Sequence, residues 1–391
     1  MFKALSRRDV SLTPTILPKS DVLVVALSAR ALAASARRSG LGVTALDLFA
    51  DADTAAMADR CLALPSRRLH LLGPALRRAL AAPDLRGVPL VYGAGFEDRP
   101  ELLAALERDR PVLGNAAGTV ARLKDPFAFA ALLARLGIPH PEIATSPPDD
   151  GGRWLMKRAG ASGGGHIRPA DRRSHRLPAG HYLQRRMPGR PVSLLFLADG
   201  RRVLPVGFSR QWVAPAPRQP FRYGGAVGPL PVAPIHAGFA AAMTAAVSRI
   251  AAEVGLVGLN SADFLAGPDG WCLLEINPRP GATLDLFDRA PMPGLLGLHM
   301  AACTAELPQA LPALAGCRAA MVVYARTPVL LDGCMRWPDW TADRPGTPAH
   351  IPAGAPLCTV LADAADPAEA RRLAGRRARE LFRRHALAEA A

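Results

Sequence analysis

Lysine is nearly absent from this chain. Of 391 residues, 48 are Lys or Arg and the net charge is +15, yet lysine stands only at Lys3, Lys19, Lys124 and Lys157. A sequence with that bias keeps lysine mainly where a compact, flexible ammonium is needed and a planar guanidinium will not serve. Lys3 and Lys19 belong to an irregular N-terminal stretch, which leaves Lys124 and Lys157 as site candidates. Aromatic residues are also scarce, at 5%. The arginines are dispersed rather than interleaved with them, and pairs such as Arg371-Arg372 and Arg376-Arg377 recur at the spacing of a solvated helix face. Nucleic acid is therefore not an expected partner, and an anionic substrate accounts for part of the excess charge. No apolar run is long enough to span a bilayer, and the first twenty residues lack the apolar core of a signal peptide. The expectation is a cytoplasmic protein with no membrane contact. The six cysteines show no zinc-ligand or redox spacing, so buried reduced thiols are expected. Gly93-x-Gly95 is not a dinucleotide fingerprint, because no full glycine pattern follows a first strand.

What is present is half apolar and long enough for two or three lobes. Apolar strands at Asp21 to Leu27, Val43 to Leu48 and Pro89 to Tyr92 alternate with Ala/Leu/Arg helices, which predicts an open parallel sheet. Ligands sit beyond the strand C-termini of such sheets, where Ser28, Arg30, Asp47, Tyr92 and Glu97 fall. A helical pair follows, Ala116 to Lys124 and Pro126 to Leu136, with Lys124 at the junction. Taken alone, Lys124 reads as a surface residue.

Lys157 ends a short strand, Trp154 to Arg158, that runs into Ala159-Gly160-Ala161-Ser162-Gly163-Gly164-Gly165-His166. A strand delivering lysine into a glycine-rich loop fits a phosphate cradle, in which backbone N–H groups and an ammonium meet the anion. The lysine precedes the glycines, so this is not a Walker loop, and a flexible hairpin turn is the plainer alternative. Gln184 ends an apolar segment at a hinge between lobes. Arg210-Gln211-Trp212 and Phe221 to Pro229 read as loops, either lining a cleft or lying on an ordinary surface.

The densest chemistry lies in Asp263 to Arg279, two alternating strands around a turn of Gly, Pro and Asp. Strand alternation points Glu275, Asn277 and Arg279 one way, with Leu274 and Ile276 buried behind them. A hairpin centred on Asp269 sets Asp263 across from Glu275. Two carboxylates that close are unfavourable without a cation between them, and all-oxygen ligands suit Mg2+. A solvated hairpin face is the alternative.

Lysine at a helix junction, lysine before a glycine loop, a hinge, then Asp263 with Glu275-x-Asn277-Pro278-Arg279: this order resembles the ATP-grasp superfamily, and within it the biotin-carboxylase-like and carboxylate–amine ligase branch. The resemblance covers nearly the whole chain. It implies an α/β and α+β multi-lobe fold, with an N-terminal open parallel sheet in a pre-ATP-grasp domain (1–115), a small lobe with the glycine-rich loop (116–190), and a large lobe with the Mg2+ site and a C-terminal extension (191–391). It implies that Lys124, Lys157, Gly160, Ser162, Gly163, Gly164 and Gly165 contact ATP, that Gln184 stands at the adenine hinge, and that Asp263, Glu275 and Asn277 hold Mg2+, or Mn2+ in its place. Lys157 and Arg279 would be catalytic, and Arg210, Arg222 and Tyr223 would contact substrate. Two departures stand out: an acid is commoner at Gln184, and many members carry an acid where Arg190-Pro191 stands here. Ser28-Ala29-Arg30, Gly95-Phe96-Glu97 and Pro280 to Asp285 look like a little-described group found near genes for pterin- and furan-type one-carbon cofactors. The implied activity is an ADP-forming ligase that joins a carboxylate to an amine, for example by glutamylation, in a protein that is often a homodimer. The rivals are a bicarbonate-activating carboxylase and a non-catalytic nucleotide-binding subunit of a cofactor-assembly complex.

Overall fold

The computed structural model describes residues 21–67, 69–146, 148, 151–170, 177–230, 237–333 and 335–384. Lys3, Lys19 and Cys334 lie outside them.

Short runs of fully buried apolar residues make the first sheet. Arg60–Ala63, Val43–Asp47, Val22–Val25 and Leu90–Tyr92 lie side by side in that order, all parallel. Val22 and Val24 face one core, while Leu23 and Val25 face another. Burial on both faces is what a parallel sheet requires, and it explains why its strands read as unbroken apolar runs.

A second sheet is small and antiparallel, in the order Ile143–Ala144, His181–Arg185, Trp154–Arg158, Arg168–Pro169. The third has eight antiparallel strands in the order Gly270–Asn277, Val257–Gly267, Arg190–Asp199, Val203–Val213, Tyr223–Gly228, Cys317–Tyr324, Pro356–Ala364, Thr341–Ala342. Alternation along Arg190–Asp199 divides the large sheet into two faces. Leu194 and Phe196 pack under the helix Ala237–Val254, through its Met243, Val247 and Ile250. Leu195 and Leu197 join the core that holds Val22, Val24 and the helix Leu295–Cys303. The parallel sheet and the large sheet thus share one core, and the site is built on this second face. A last helix, Pro367–Arg384, covers the far end through Ala370, Ala374 and Leu381.

Two stretches expected as loops are strand. Arg210, Gln211 and Trp212 continue Val203–Val213, and Tyr223–Gly228 pairs with both neighbours. Gly224 and Gly225 suit this strand because a Cβ at either position would press on Trp212.

Candidate active site

The hairpin turns through two residues, since Gly267 pairs with Gly270. Phe264 then faces Leu273 and Asp263 faces Glu275, leaving Leu274 as the extra residue of a β-bulge. The bulge resets the alternation. Leu273 and Ile276, three apart, both reach the helix-covered core with no exposure, while Glu275 and Asn277 face the other side. The expected pairing of Asp263 with Glu275 is present, but the turn is not centred on Asp269, and Leu273 rather than half-buried Leu274 packs beside Ile276.

Around this pair the polar groups interlock. Asn277 Nδ2 donates to Asp263 Oδ2 at 3.1 Å, and Gln211 Nε2 donates to Asp263 Oδ1 at 3.0 Å. Lys124 is the last residue of the helix Ala117–Lys124, which stops where Asp125 caps the next helix, Pro126–Arg135, through the N–H groups of Phe127 and Ala128. That stop delivers the Lys124 ammonium 2.7 Å from Asn277 Oδ1 and 3.3 Å from Glu275 Oε2. Lys157 is 8% exposed and donates to Gln184 Oε1 at 2.9 Å. Gln184 lies inside the strand His181–Arg185 rather than at its end. Arg279 is 7% exposed, and its Nε donates to Glu97 Oε1 at 2.6 Å. The other Glu97 oxygen accepts the N–H groups of Gly95 and Phe96 at 2.7 and 3.1 Å.

The two carboxylates take opposite electrostatic parts. Burial, and then the charge of Glu275, push Asp263 up to about 6. Burial also opposes ionisation of Glu275, but Lys124 and Lys157 overcome it and hold that carboxyl down at about 2. Lys157 is lowered by its own burial. Among the described residues no three His, Cys, Asp or Glu side chains gather at metal-holding geometry. The donor set is instead two carboxylates and one amide, hard oxygens that fit a cation whose shell is completed by phosphate and water.

The glycine loop is folded down rather than free. Gly160 (φ +67°) sits so close to the Glu97-Asp98 backbone that a Cβ would lie 2.6 Å from Asp98 Cα, and a Cβ at Gly164 (φ +70°) would strike the Phe221 carbonyl. Gly163 O accepts the Tyr223 N–H at 2.9 Å. Ser162 is exposed at the tip, and Gly165 lies beside Gln219. His166 Nδ1 is buried without a hydrogen-bond partner, and burial with Lys157 nearby presses its pKa down to about 4, so the ring is neutral.

Lys124, Lys157, Gln184, Asp263, Glu275 and Asn277 therefore form one cluster beneath the loop, with Arg279 two residues beyond Asn277 on Glu97. Two of the expected substrate residues are placed elsewhere. Because residues 210–212 are strand, Gln211 points to Asp263 and Arg210 points to the opposite face, toward the C-terminal helix. Arg222 lies by the loop, but its guanidinium donates to the carbonyls of Ala214 and Gly354 and stacks 3.6 Å from the Tyr324 ring centre. Tyr223 is half-buried, its pKa raised by desolvation and by Asp263 and Asp285. Gln211, Tyr182 and His166 were not expected in the cluster. Strand parity would have found Gln211, and the register of Tyr182 opposite Lys157 would have found Tyr182.

Residues 123–283 match the family model described as an ATP-grasp domain. No curated protein sequence matches the chain. Among solved structures, the chain is similar to the biotin carboxylase domain of 2-oxoglutarate carboxylase from Hydrogenobacter thermophilus, with TM-score 0.70, 12% identity, and 93% of this chain and 90% of that one covered. That domain was determined as a dimer with MgADP, ADP and bicarbonate. It is also similar to biotin carboxylase from Campylobacter jejuni (TM-score 0.70, 13% identity, 90% of each chain). A third likeness is N5-carboxyaminoimidazole ribonucleotide synthetase from Thermotoga maritima (TM-score 0.64, 13% identity, 91% of this chain and 97% of that one). At these identities the structures show the fold: mixed α/β, an N-terminal parallel sheet and a large antiparallel sheet. Residues 123–283 thus match an ATP-grasp domain set within that fold.

Proposed function

We propose that the protein, in the cytoplasm, activates a carboxylate as an acyl phosphate and joins it to an amine in the biosynthesis of a small-molecule cofactor. The observation that carries this reading is the convergence of both non-tail lysines, Asp263, Glu275 and Asn277 under one glycine loop, with Arg279 beside them. Asp263, Glu275 and Asn277 would hold Mg2+, which when bound neutralises charge on the ATP phosphates. Mn2+ would fit the same donors. The ammonium of Lys124, now on Glu275 and Asn277, and that of Lys157 would turn to phosphate oxygens, with the N–H groups of residues 160–165 folded over them. Gln184 would stand by the adenine. A substrate carboxylate oxygen would attack the γ-phosphorus and ADP would leave. Amine nitrogen would then attack the acyl carbon, losing a proton and releasing phosphate. Arg279, held rigid by Glu97, would face the negative charge that gathers on the transferring phosphoryl group. The docked loop would keep water from the acyl phosphate. Tyr223 remains a substrate contact in this reading; Arg210 and Arg222 do not.

The bicarbonate reading gains support from the bound bicarbonate in a protein of the same fold. ADP release from MgATP, measured against a panel of carboxylic acids and amines with mass spectrometry of the products, separates the readings. ADP release that needs both an acid and an amine, with a product one condensed unit heavier, is the expected result. Release driven by bicarbonate without an amine would identify the carboxylase instead, and binding without turnover a nucleotide-binding subunit. The chain would act as a homodimer, which light scattering tests.

A further inference from the structure

Arg210, turned away from the site, enters a cavity of about 600 Å³ between the large sheet and the C-terminal helix. Four arginines of that helix, Arg371, Arg372, Arg376 and Arg379, line the same cavity. The spacing i, i+1, i+5, i+8 puts them along one side of the helix. Val227 and Met321, from two sheet strands, form an apolar floor. Among the described residues no carboxylate lines the cavity. Among the described residues, Arg210, Arg372, Arg376 and Arg379 make no ion pair or hydrogen bond, and Arg371 lies 4.8 Å over the Trp212 ring.

A solvated helix face accounts for helix arginines alone, but not for three further features. Arg210 comes from a strand and points into the same space. Arg371 is held in place by an aromatic face, so part of the charge is preorganised. Gly375 interrupts the helix midway along the cavity although a Cβ there would meet only the Arg379 Nη1, at 3.8 Å. Glycine in a helix interior is unfavourable. Here packing does not demand it, and the glycine lines the cavity.

We infer that this groove binds a small organic polyphosphate. Five guanidinium groups, four of them on exposed residues, gather around about 600 Å³ and suit a ligand of high charge density, and arginine forks grip phosphate oxygens in pairs. The volume suits a molecule of nucleotide size, with its apolar part on Val227 and Met321. The groove lies on the sheet face opposite Asp263, so the site is separate from the glycine-loop site and its occupant is a regulator or a further substrate.

The test uses the full chain with the glycine-loop site filled by a single equivalent of a non-hydrolysable ATP analogue with Mg2+, titrated calorimetrically with inorganic tripolyphosphate. One further equivalent is expected to bind. The exposed pair Arg372→Gln/Arg376→Gln should weaken it at least about tenfold, and Gly375→Leu should block it without changing charge. Arg86→Gln, on the remote parallel-sheet lobe, should leave it unchanged, and melting curves confirm that each variant folds. Absence of the second event would overturn the proposal, as would equal weakening by Arg86→Gln. Equal binding of triglutamate would overturn the phosphate assignment. Affinity that grows with the length of an oligonucleotide, with tripolyphosphate inactive, would replace it with a nucleic-acid surface.

Discussion

The Lys124 and Lys157 ammonium groups favour the charged form of Glu275, while its neighbour Asp263 is raised. Removing the Glu275 charge while keeping its shape isolates that role. Glu275→Gln should retain ATP binding within about threefold and lower turnover by about 10²–10³-fold, the range seen when one electrostatic group is lost from a phosphoryl- or acyl-transfer site. Nucleotide titration beside ADP-release rates checks it, and unchanged turnover would remove Glu275 from the site. A different carboxylate governs pH. Asp51, 6% exposed, is pushed up to about 8 by burial and by Asp343, Asp47 and Asp53. The folded chain therefore keeps a proton there that the unfolded chain releases near 3.8. Between these values the native state binds more protons, so stability falls as pH rises. Asp51→Asn should flatten that decline and raise the melting midpoint at pH 8 by about 2–4 °C or more. Melting curves from pH 5 to 8 would show it.

Secondary structure was legible where one interaction dominates. The run Trp154–Arg158, the capped helix Pro126–Arg135 and the buried strands of the parallel sheet follow from local pattern, and the lysines stood out because arginine had replaced the others. What the sequence hid were elements whose geometry is set by neighbours. The Leu274 bulge exists because Leu273 and Ile276 both need the helix-covered core, a fact visible only once Ala237–Val254 lies on the sheet. Residues 210–212 and 223–228 carry glycine and polar side chains that read as loop, yet they pair with each other, and Val192 and Cys317–Tyr324 continue the ladder beyond Arg210 and Tyr223–Gly228. That parity decides that Gln211, not Arg210, meets Asp263. The glycine loop gives the test at this scale. Gly164 combines φ +70° with contact against Phe221, so Gly164→Ala must lift the loop. Ten-fold or greater loss of turnover is expected, with the melting midpoint changed by about 2 °C or less because the loop is peripheral to the cores. A wild-type rate in this variant would show that the loop need not dock there.

At the scale of the whole molecule, a buried ion pair ties the parallel-sheet lobe to the large sheet, beside the Arg30–Asp285 pair. Glu97 and Arg279 are 182 residues apart, and their side chains are 4% and 8% exposed. No local pattern links them; both were read as site residues, but their contact is a product of the fold. Burial works against the charge on Glu97, yet Arg279 and Lys124 overcome it and hold its pKa below the usual 4.5. The pair's contribution is thus complete above about pH 4.5 and is lost as pH falls through the lowered value. Removing one partner strands the other in the interior, whereas removing both leaves no orphan charge. Glu97→Ala or Arg279→Ala alone should each cost about 3–5 kcal/mol, and the double variant less than the sum of the two. Urea unfolding of the four proteins at pH 7 measures the coupling, and repeating it at pH 4 should shrink it. Additive losses would mean that Glu97 and Arg279 are not coupled and that other contacts, such as Arg30 with Asp285, join the lobes. Only Arg279→Ala and the double variant would then be expected to lose turnover, since Glu97 would no longer be needed to set the guanidinium in place.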